Sequence, residues 1–263
     1  RLRIGVPFPF SMHRLLLNYW LSRDPQFLQE RVEIVTIPLP QMAGAVKESR
    51  IDMFCVGEPW GSVAVQQCGA ALVLPSQSIW QFAPEKVLGA RHTWVEDNPR
   101  TCAKMIRAVY KAARWLDQPE NTPLATEILA HSQHLDLPDH AIDPALSGHI
   151  VTEQGDAPRY RAPFVTFHDR SANFPWRSQS RWIAQQLAVL HGLDGAKAHD
   201  AAAACFRSDL YRDAVTPLSA DLPSASAKVE GAMAFPTAVA SAHGEIVLGP
   251  DQFFDGAHFD FVT

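Results

Sequence analysis

The chain has 263 residues, 47% of them apolar and 19% charged, with a formal net charge of −5. At roughly 150 residues per domain this is one or two domains, with enough apolar residues for a sizeable core. A mildly acidic chain argues against general nucleic-acid binding, and no apolar run approaches the about 18 residues of a membrane-spanning helix.

The first hundred residues alternate. Residues 1–7 (RLRIGVP) read as a strand, followed by 12–22, where Leu15, Leu16, Tyr19 and Trp20 share a helical face. Residues 32–37 (VEIVTI) form a second strand, 41–49 a short helix, and 51–56 (IDMFCV) a buried strand. Pro59 stands where a helix would start. Residues 71–74 (ALVL) and 86–89 (KVLG) are fourth and fifth strand candidates. Strands separated by short helices indicate βαβ units and a parallel sheet, so this half is α/β.

After Pro99 the pattern is helical. Residues 100–117 carry Ile106, Val109, Ala113 and Leu116 at helical spacing, and Pro119 stops the run. Residues 122–131, 138–146, 182–190, 196–205 and 207–215 also read as helices. The Pro/Ser-rich stretch 217–231 reads as an exposed loop or linker.

Few motifs point to chemistry. Cys55, Cys68, Cys102 and Cys205 are far apart, which fits buried thiols better than a zinc site or a disulfide framework and leans towards a reducing compartment. His131 and His134 lack a third ligand, so surface histidines are the expected reading and no metal is assigned. No GxSxG, Walker loop or GxGxxG occurs. The informative positions are strand ends, because open α/β sheets bind ligands outside the carboxyl ends of their strands. His13 follows the first strand near a helix N-terminus. Val56-Gly57-Glu58-Pro59 ends another strand and opens a helix, where Gly57 permits close backbone approach and N–H groups can meet an anion. Lys86 opens the fifth strand candidate. A His, a Lys and a helix N-terminus suit a small oxyanion; taken singly, a capped His, a solvated Lys and a turn Gly would explain each.

These residues carry a resemblance. Pro7-Phe8-Pro9-Phe10-Ser11-Met12-His13 with Tyr19-Trp20-Leu21 resembles a segment of the nitrate/nitrite/bicarbonate-type solute-binding proteins. So do Ile37-Pro38-Leu39-Pro40-Gln41-Met42, Asp52-Met53-Phe54-Cys55-Val56-Gly57-Glu58-Pro59-Trp60 and Pro84-Glu85-Lys86-Val87-Leu88-Gly89. Asn173-Phe174-Pro175-Trp176-Arg177-Ser178, Phe206-Arg207-Ser208-Asp209-Leu210-Tyr211 and Phe254-Asp255-Gly256 extend the likeness to the end of the chain.

The resemblance implies a two-lobed α/β clamshell of the periplasmic-binding-protein type (type II). The chain corresponds to the part of the family after roughly its first hundred residues, so the N-terminal part of the first lobe is expected to be absent. Residues 1–90 would be the second lobe and 91–263 the helical remainder of the first. The ligand contacts carried over are His13, the backbone at Val56 and Gly57, and Lys86, with no cofactor and no metal. Lys86 favours a monovalent oxyanion through a charge-assisted bond, whereas bicarbonate-type relatives use calcium and an acidic group. Glu58 would repel an anion and is expected behind the site or at an interface. The bulky Phe10-Ser11-Met12 loop resembles the cytoplasmic nitrate sensors of the family, which sequester an antitermination regulator. The alternative is the capture subunit of a nitrate/nitrite ABC importer, periplasmic and partnered by a permease. The resemblance implies a binding protein and not an enzyme; an enzyme on a related clamshell would need a catalytic Cys or His in the cleft, and turnover.

Overall fold

A computed structural model describes residues 1–160 and 164–260. In chain order the elements are β1 (Leu2–Val6), α1 (Met12–Leu21), α2 (Pro25–Arg31), β2 (Val32–Thr36), α3 (Met42–Lys47), β3 (Met53–Phe54) and α4 (Trp60–Cys68). They continue with α5 (His92–Asp97), α6 (Pro99–Leu116), α7 (Thr122–Ala130), α8 (Asp139–Ser147), β4 (His149–Ile150) and β5 (Arg159–Tyr160). The last are α9 (Arg177–His191), α10 (Gly195–Cys205), α11 (Ser208–Val215), β6 (Thr237–Ser241) and β7 (Gly244–Leu248).

Two compact units form, each from two stretches of chain: 1–76 with 118–166, and 77–117 with 167–263. This division differs from a single boundary at residue 90. The stretch 118–166 belongs with the first unit because it bonds there: Gln66 Nε2 donates to the His140 carbonyl (3.2 Å) and Leu72 N–H to the Thr152 carbonyl (2.8 Å). Ala141 of α8 also joins Ala43, Val63 and Ala64 in one apolar cluster.

The first unit is built on a three-stranded parallel sheet of order β2-β1-β3, with Ile4 opposite Ile34 and Met53. Alternate residues of a strand face opposite sides, and here both sides are covered. Ile4, Val6 and Val32 pack against Leu17 of α1 and Leu28 of α2. Val35 and Phe54 pack on the other side with Met42 and Ala45 of α3 and with Ile51. Gly5, in the central strand, lies so close to that second layer that an added Cβ would stand 2.8 Å from Ile51 Cδ1 and from Met42 Sδ. The expected parallel βαβ arrangement is the one found.

The other two strand candidates do not form. Residues 71–74 make the single bond from Leu72 N–H, and residues 86–89 form no ladder, with Val87 69% and Leu88 50% exposed. A short apolar run becomes a strand only beside an edge that can pair with it.

The second unit is mainly helical. Its core joins Tyr110 of α6, Tyr211 and Val215 of α11, Phe174, Trp176 and Leu248 of β7. Trp80, Trp182 and Phe253 form a second aromatic group, with Trp80 ring centroids 4.8 and 4.7 Å from the other two. Helix α9 starts at Arg177, five residues before its sequence-based start at 182, because polar residues form its buried first turn: Ser178 is fully buried and its hydroxyl donates to Glu230 Oε1 (2.6 Å). The stretch 217–231 is not an exposed linker. Ala220, Leu222 and Pro223 are buried, as is Glu230. Lys228 Nζ donates to Glu230 Oε2 (2.5 Å) and to Asp251, and Ser178 Oγ accepts from Lys228 N–H (3.1 Å). The β6–β7 hairpin, with Val239 opposite Ile246, was not anticipated from the sequence.

Candidate functional site

Order β2-β1-β3 makes the gap beyond the carboxyl ends of β1 and β3 a topological switch point, the usual ligand position in an open α/β sheet. The segments following both strands meet there. After β1, Ser11 N–H donates to the Phe8 carbonyl (3.1 Å) in a tight turn, and Ser11 Oγ caps α1 by accepting from Arg14 N–H (3.2 Å). That cap places His13 in the first turn of α1, buried with 6% exposure. After β3, the chain passes through Cys55, whose N–H donates to the Gly5 carbonyl (2.9 Å), to Gly57. An added Cβ at Gly57 would lie 3.3 Å from His13 Nε2 and 3.7 Å from Cε1. The imidazole edge and the Gly57 backbone therefore adjoin.

Of the four expected ligand residues, the structure brings His13 and Gly57 together. Val56 precedes Gly57, but its half-buried side chain packs with the Met42 and Ile51 cluster, leaving its backbone as the available contact. Lys86 lies in the second unit, its side chain 78% exposed and ion-paired with Glu85.

Glu58 has a role that sequence reasoning missed. Its carboxylate turns back on the start of α4, where Oε2 accepts from Ser62 N–H (3.0 Å). Gly61 is the residue that makes room, because a Cβ there would stand 2.5 Å from Glu58 Oε1. Burial pushes the Glu58 carboxyl above its ordinary range, partly offset by the Ser62 hydrogen bonds. The helix N-terminus that the sequence offered to an incoming anion is thus capped by the protein's own acid. Glu58 is thus turned back onto the start of α4, which agrees with a place behind the strand-end position. Arg14 was also passed over: its Nε is buried and has no hydrogen-bond partner among the described residues. Its adjacency to His13 in the first turn of α1 was the available signal.

The remaining polar candidates fall where simple chemistry puts them. His131 and His134 are exposed, and the described residues contain no group of three His, Cys, Asp or Glu placed to hold a metal ion. All four cysteines are thiols. Cys55 lies inside the first unit, where burial pushes its thiol up to about 12, so it is unreactive at neutral pH.

A parallel sheet covered on both faces, with convergent polar groups at its switch point, defines a periplasmic-binding-protein-like α/β fold. The crystal structure of the periplasmic nitrate-binding protein NrtA from Synechocystis PCC 6803 shares it, with a TM-score of 0.86 at 24% identity over 99% of this chain and 64% of that one. Residues 1–130 match the NMT1-like family model. Nitrate/nitrite binding protein NrtA of Synechococcus elongatus is 27% identical over 98% of this chain and 55% of its own length. Nitrate import ATP-binding protein NrtC of Synechocystis is 32% identical over 70% of this chain and 28% of its own. Bicarbonate transport ATP-binding protein CmpC of Synechococcus elongatus is 31% identical over 70% and 27% respectively. These matches support membership of the nitrate/nitrite/bicarbonate-type solute-binding protein family, and the chain spans about half the length, or less, of these curated relatives.

Proposed function

We propose that the chain binds nitrate or nitrite as part of the substrate-binding component of an ABC importer, working with a membrane permease and outside the cytoplasm. The observation that carries this is the meeting of His13 with the Gly57 backbone at the switch point of the sheet. The backbone at Val56 and Gly57 supplies close-range contacts, and the resemblance assigns Lys86 as the cation for a monovalent oxyanion. Two of the related proteins named above are titled ATP-binding proteins of nitrate import and bicarbonate transport, and the one of known structure is titled periplasmic, which favours capture for import over a cytoplasmic sensor that holds an antitermination regulator. The reading is of a binding protein and involves no turnover. No described helix is long and apolar enough to cross a membrane.

Titration calorimetry with nitrate, nitrite, bicarbonate and sulfate tests the proposal. Nitrate or nitrite is expected to bind and sulfate not to bind; tighter bicarbonate binding would overturn the ligand assignment. A hydrogen bond to a charged group contributes about 1.5–3 kcal/mol. Lys86→Ala is therefore expected to weaken nitrate binding about ten- to a hundredfold, and unchanged affinity would remove Lys86 from the site.

A further inference from the structure

Glu58 brings a carboxylate to the residue directly after Gly57, and the fold holds it there. Among the first four N–H groups of α4, three have acceptors within the chain. Trp60 N–H donates to the Gly57 carbonyl (3.3 Å), Ser62 N–H to Glu58 Oε2 (3.0 Å) and Val63 N–H to the Pro59 carbonyl (3.0 Å). Packing adds to the bonding: a Cβ at Gly61 would stand 2.5 Å from Glu58 Oε1 and 3.1 Å from Leu72 Cδ2. An anion beside Gly57 therefore does not reach those three donors, but it does feel the charge of the acid that occupies them.

Capping alone does not call for that charge. A Ser, Thr or Asn side chain accepts from a helix N-terminal N–H about as well as an acid does. Burial raises the Glu58 carboxyl above its ordinary range, the mark of a charge held against desolvation. What the acid adds is its field. A helix N-terminus carries roughly +0.5 of an elementary charge, so a carboxylate on α4 makes that end net negative.

The local charges then balance. The residues that follow His13 and Gly57 in the chain are Arg14 and Glu58, one permanent cation and one anion. They cancel, so this part of the first unit holds no surplus cation for a second ligand charge. Consecutive Cα atoms are about 3.8 Å apart and a Glu side chain reaches about 5 Å, so the carboxylate lies within about 9 Å of Gly57 Cα. At an effective dielectric of about 20, a unit charge at that range changes the affinity for a monoanion by up to about twentyfold, and for a dianion by the square of that factor.

We propose that Glu58 is a specificity-determining residue that restricts the site at His13 and Gly57 to anions of single charge, its carboxylate repelling a second ligand charge without touching the ligand. This inference rests on the anion binding proposed above and supplies the reason why a dianion such as sulfate is refused.

The test is titration calorimetry on the intact protein at about pH 8, several units above the ordinary carboxyl range. It compares nitrate, sulfate and perchlorate, the last a monoanion with the tetrahedral shape of sulfate. Glu58→Gln keeps an oxygen acceptor for Ser62 N–H and removes the charge. Sulfate affinity is expected to rise about five- to twentyfold more than that of nitrate or perchlorate. An equal change for all three anions, or a perchlorate gain matching that of sulfate, would reduce Glu58 to a cap of α4 and overturn the proposal. Glu58→Asp keeps the charge with a shorter reach to Ser62, and it decides the matter if Glu58→Gln does not fold. The Asp variant should go on refusing sulfate even where every affinity falls; sulfate binding there would show that shape and not charge excludes the dianion. Wild-type protein that binds neither nitrate nor nitrite would sink the binding reading and this inference together. Wild-type nitrate binding with unaltered anion ratios in Glu58→Gln would sink this inference alone.

Discussion

One absent methyl group sets how closely His13 can approach the segment after β3. At Gly57 a Cβ would press on the imidazole at 3.3 Å, so Gly57→Ala is expected to tilt the ring with little effect on the fold. Nitrate affinity should then fall about three- to tenfold, which is about 1 kcal/mol, and calorimetry on the variant reads it. An affinity equal to wild type would show that the ring can yield without leaving the ligand. Gly57 and His13 were legible in the sequence because each follows a recognisable strand, and the rule for ligands in open sheets needs no more than that. Glu58 was not legible in its true role. Whether a carboxylate next to a glycine faces solvent, a ligand or the adjacent helix depends on the backbone turn after it, and here that turn sends it to Ser62 N–H.

At the scale of elements, the central strand β1 is packed tightly on one side. Gly5→Ala would place a methyl 2.8 Å from both Ile51 and Met42 and is expected to cost about 1–3 kcal/mol, as overpacking does. Denaturant unfolding should show a lower midpoint with an unchanged slope; an unchanged midpoint would mean that α3 moves freely away from the sheet. In the second unit, Lys228 lies between Glu230 and Asp251, both fully buried, beneath the start of α9. Removing the cation from such a cluster leaves uncompensated buried charge, so Lys228→Ala should destabilise by about 3–5 kcal/mol. A loss below 1 kcal/mol on thermal melting would mean that the carboxylates simply take up protons. This cluster lies where the sequence suggested an exposed linker. Small and Pro-rich composition describes the local backbone, but burial of Leu222 and Glu230 follows from partners more distant in the chain.

For the whole molecule, the pH dependence of stability has a defined contribution from His168. Burial lowers its folded pKa beneath the unfolded value of about 6.5. The unfolded chain therefore binds a proton more readily, and the contribution is present above that value and lost as pH falls through the folded pKa. Melting temperature is expected to decline on acidification below about pH 6.5, and His168→Gln should flatten that limb of the profile. An identical profile in the variant would place the acid sensitivity elsewhere, for instance among the buried carboxylates. The overall charge of −5 has the same sign as the proposed ligand, so attraction must come from local groups and not from the field of the whole chain.

The sequence by itself determined the α/β character of the first unit, the placement of most helices and the two strand-end positions His13 and Gly57. These depend on local periodicity, capping residues and chain direction, which neighbouring residues encode. Only the tertiary structure decided that residues 118–166 return to the first unit, because that depends on bonds such as Leu72 N–H to Thr152 across 80 positions. It also decided that residues 71–74 and 86–89 remain outside the sheet, that Glu58 occupies the start of α4, and that the β6–β7 hairpin closes against the Tyr110 and Tyr211 core. In each case the deciding term is a partner far along the chain: a strand needs an edge, a buried carboxylate needs a donor, and an apolar face needs another to cover it.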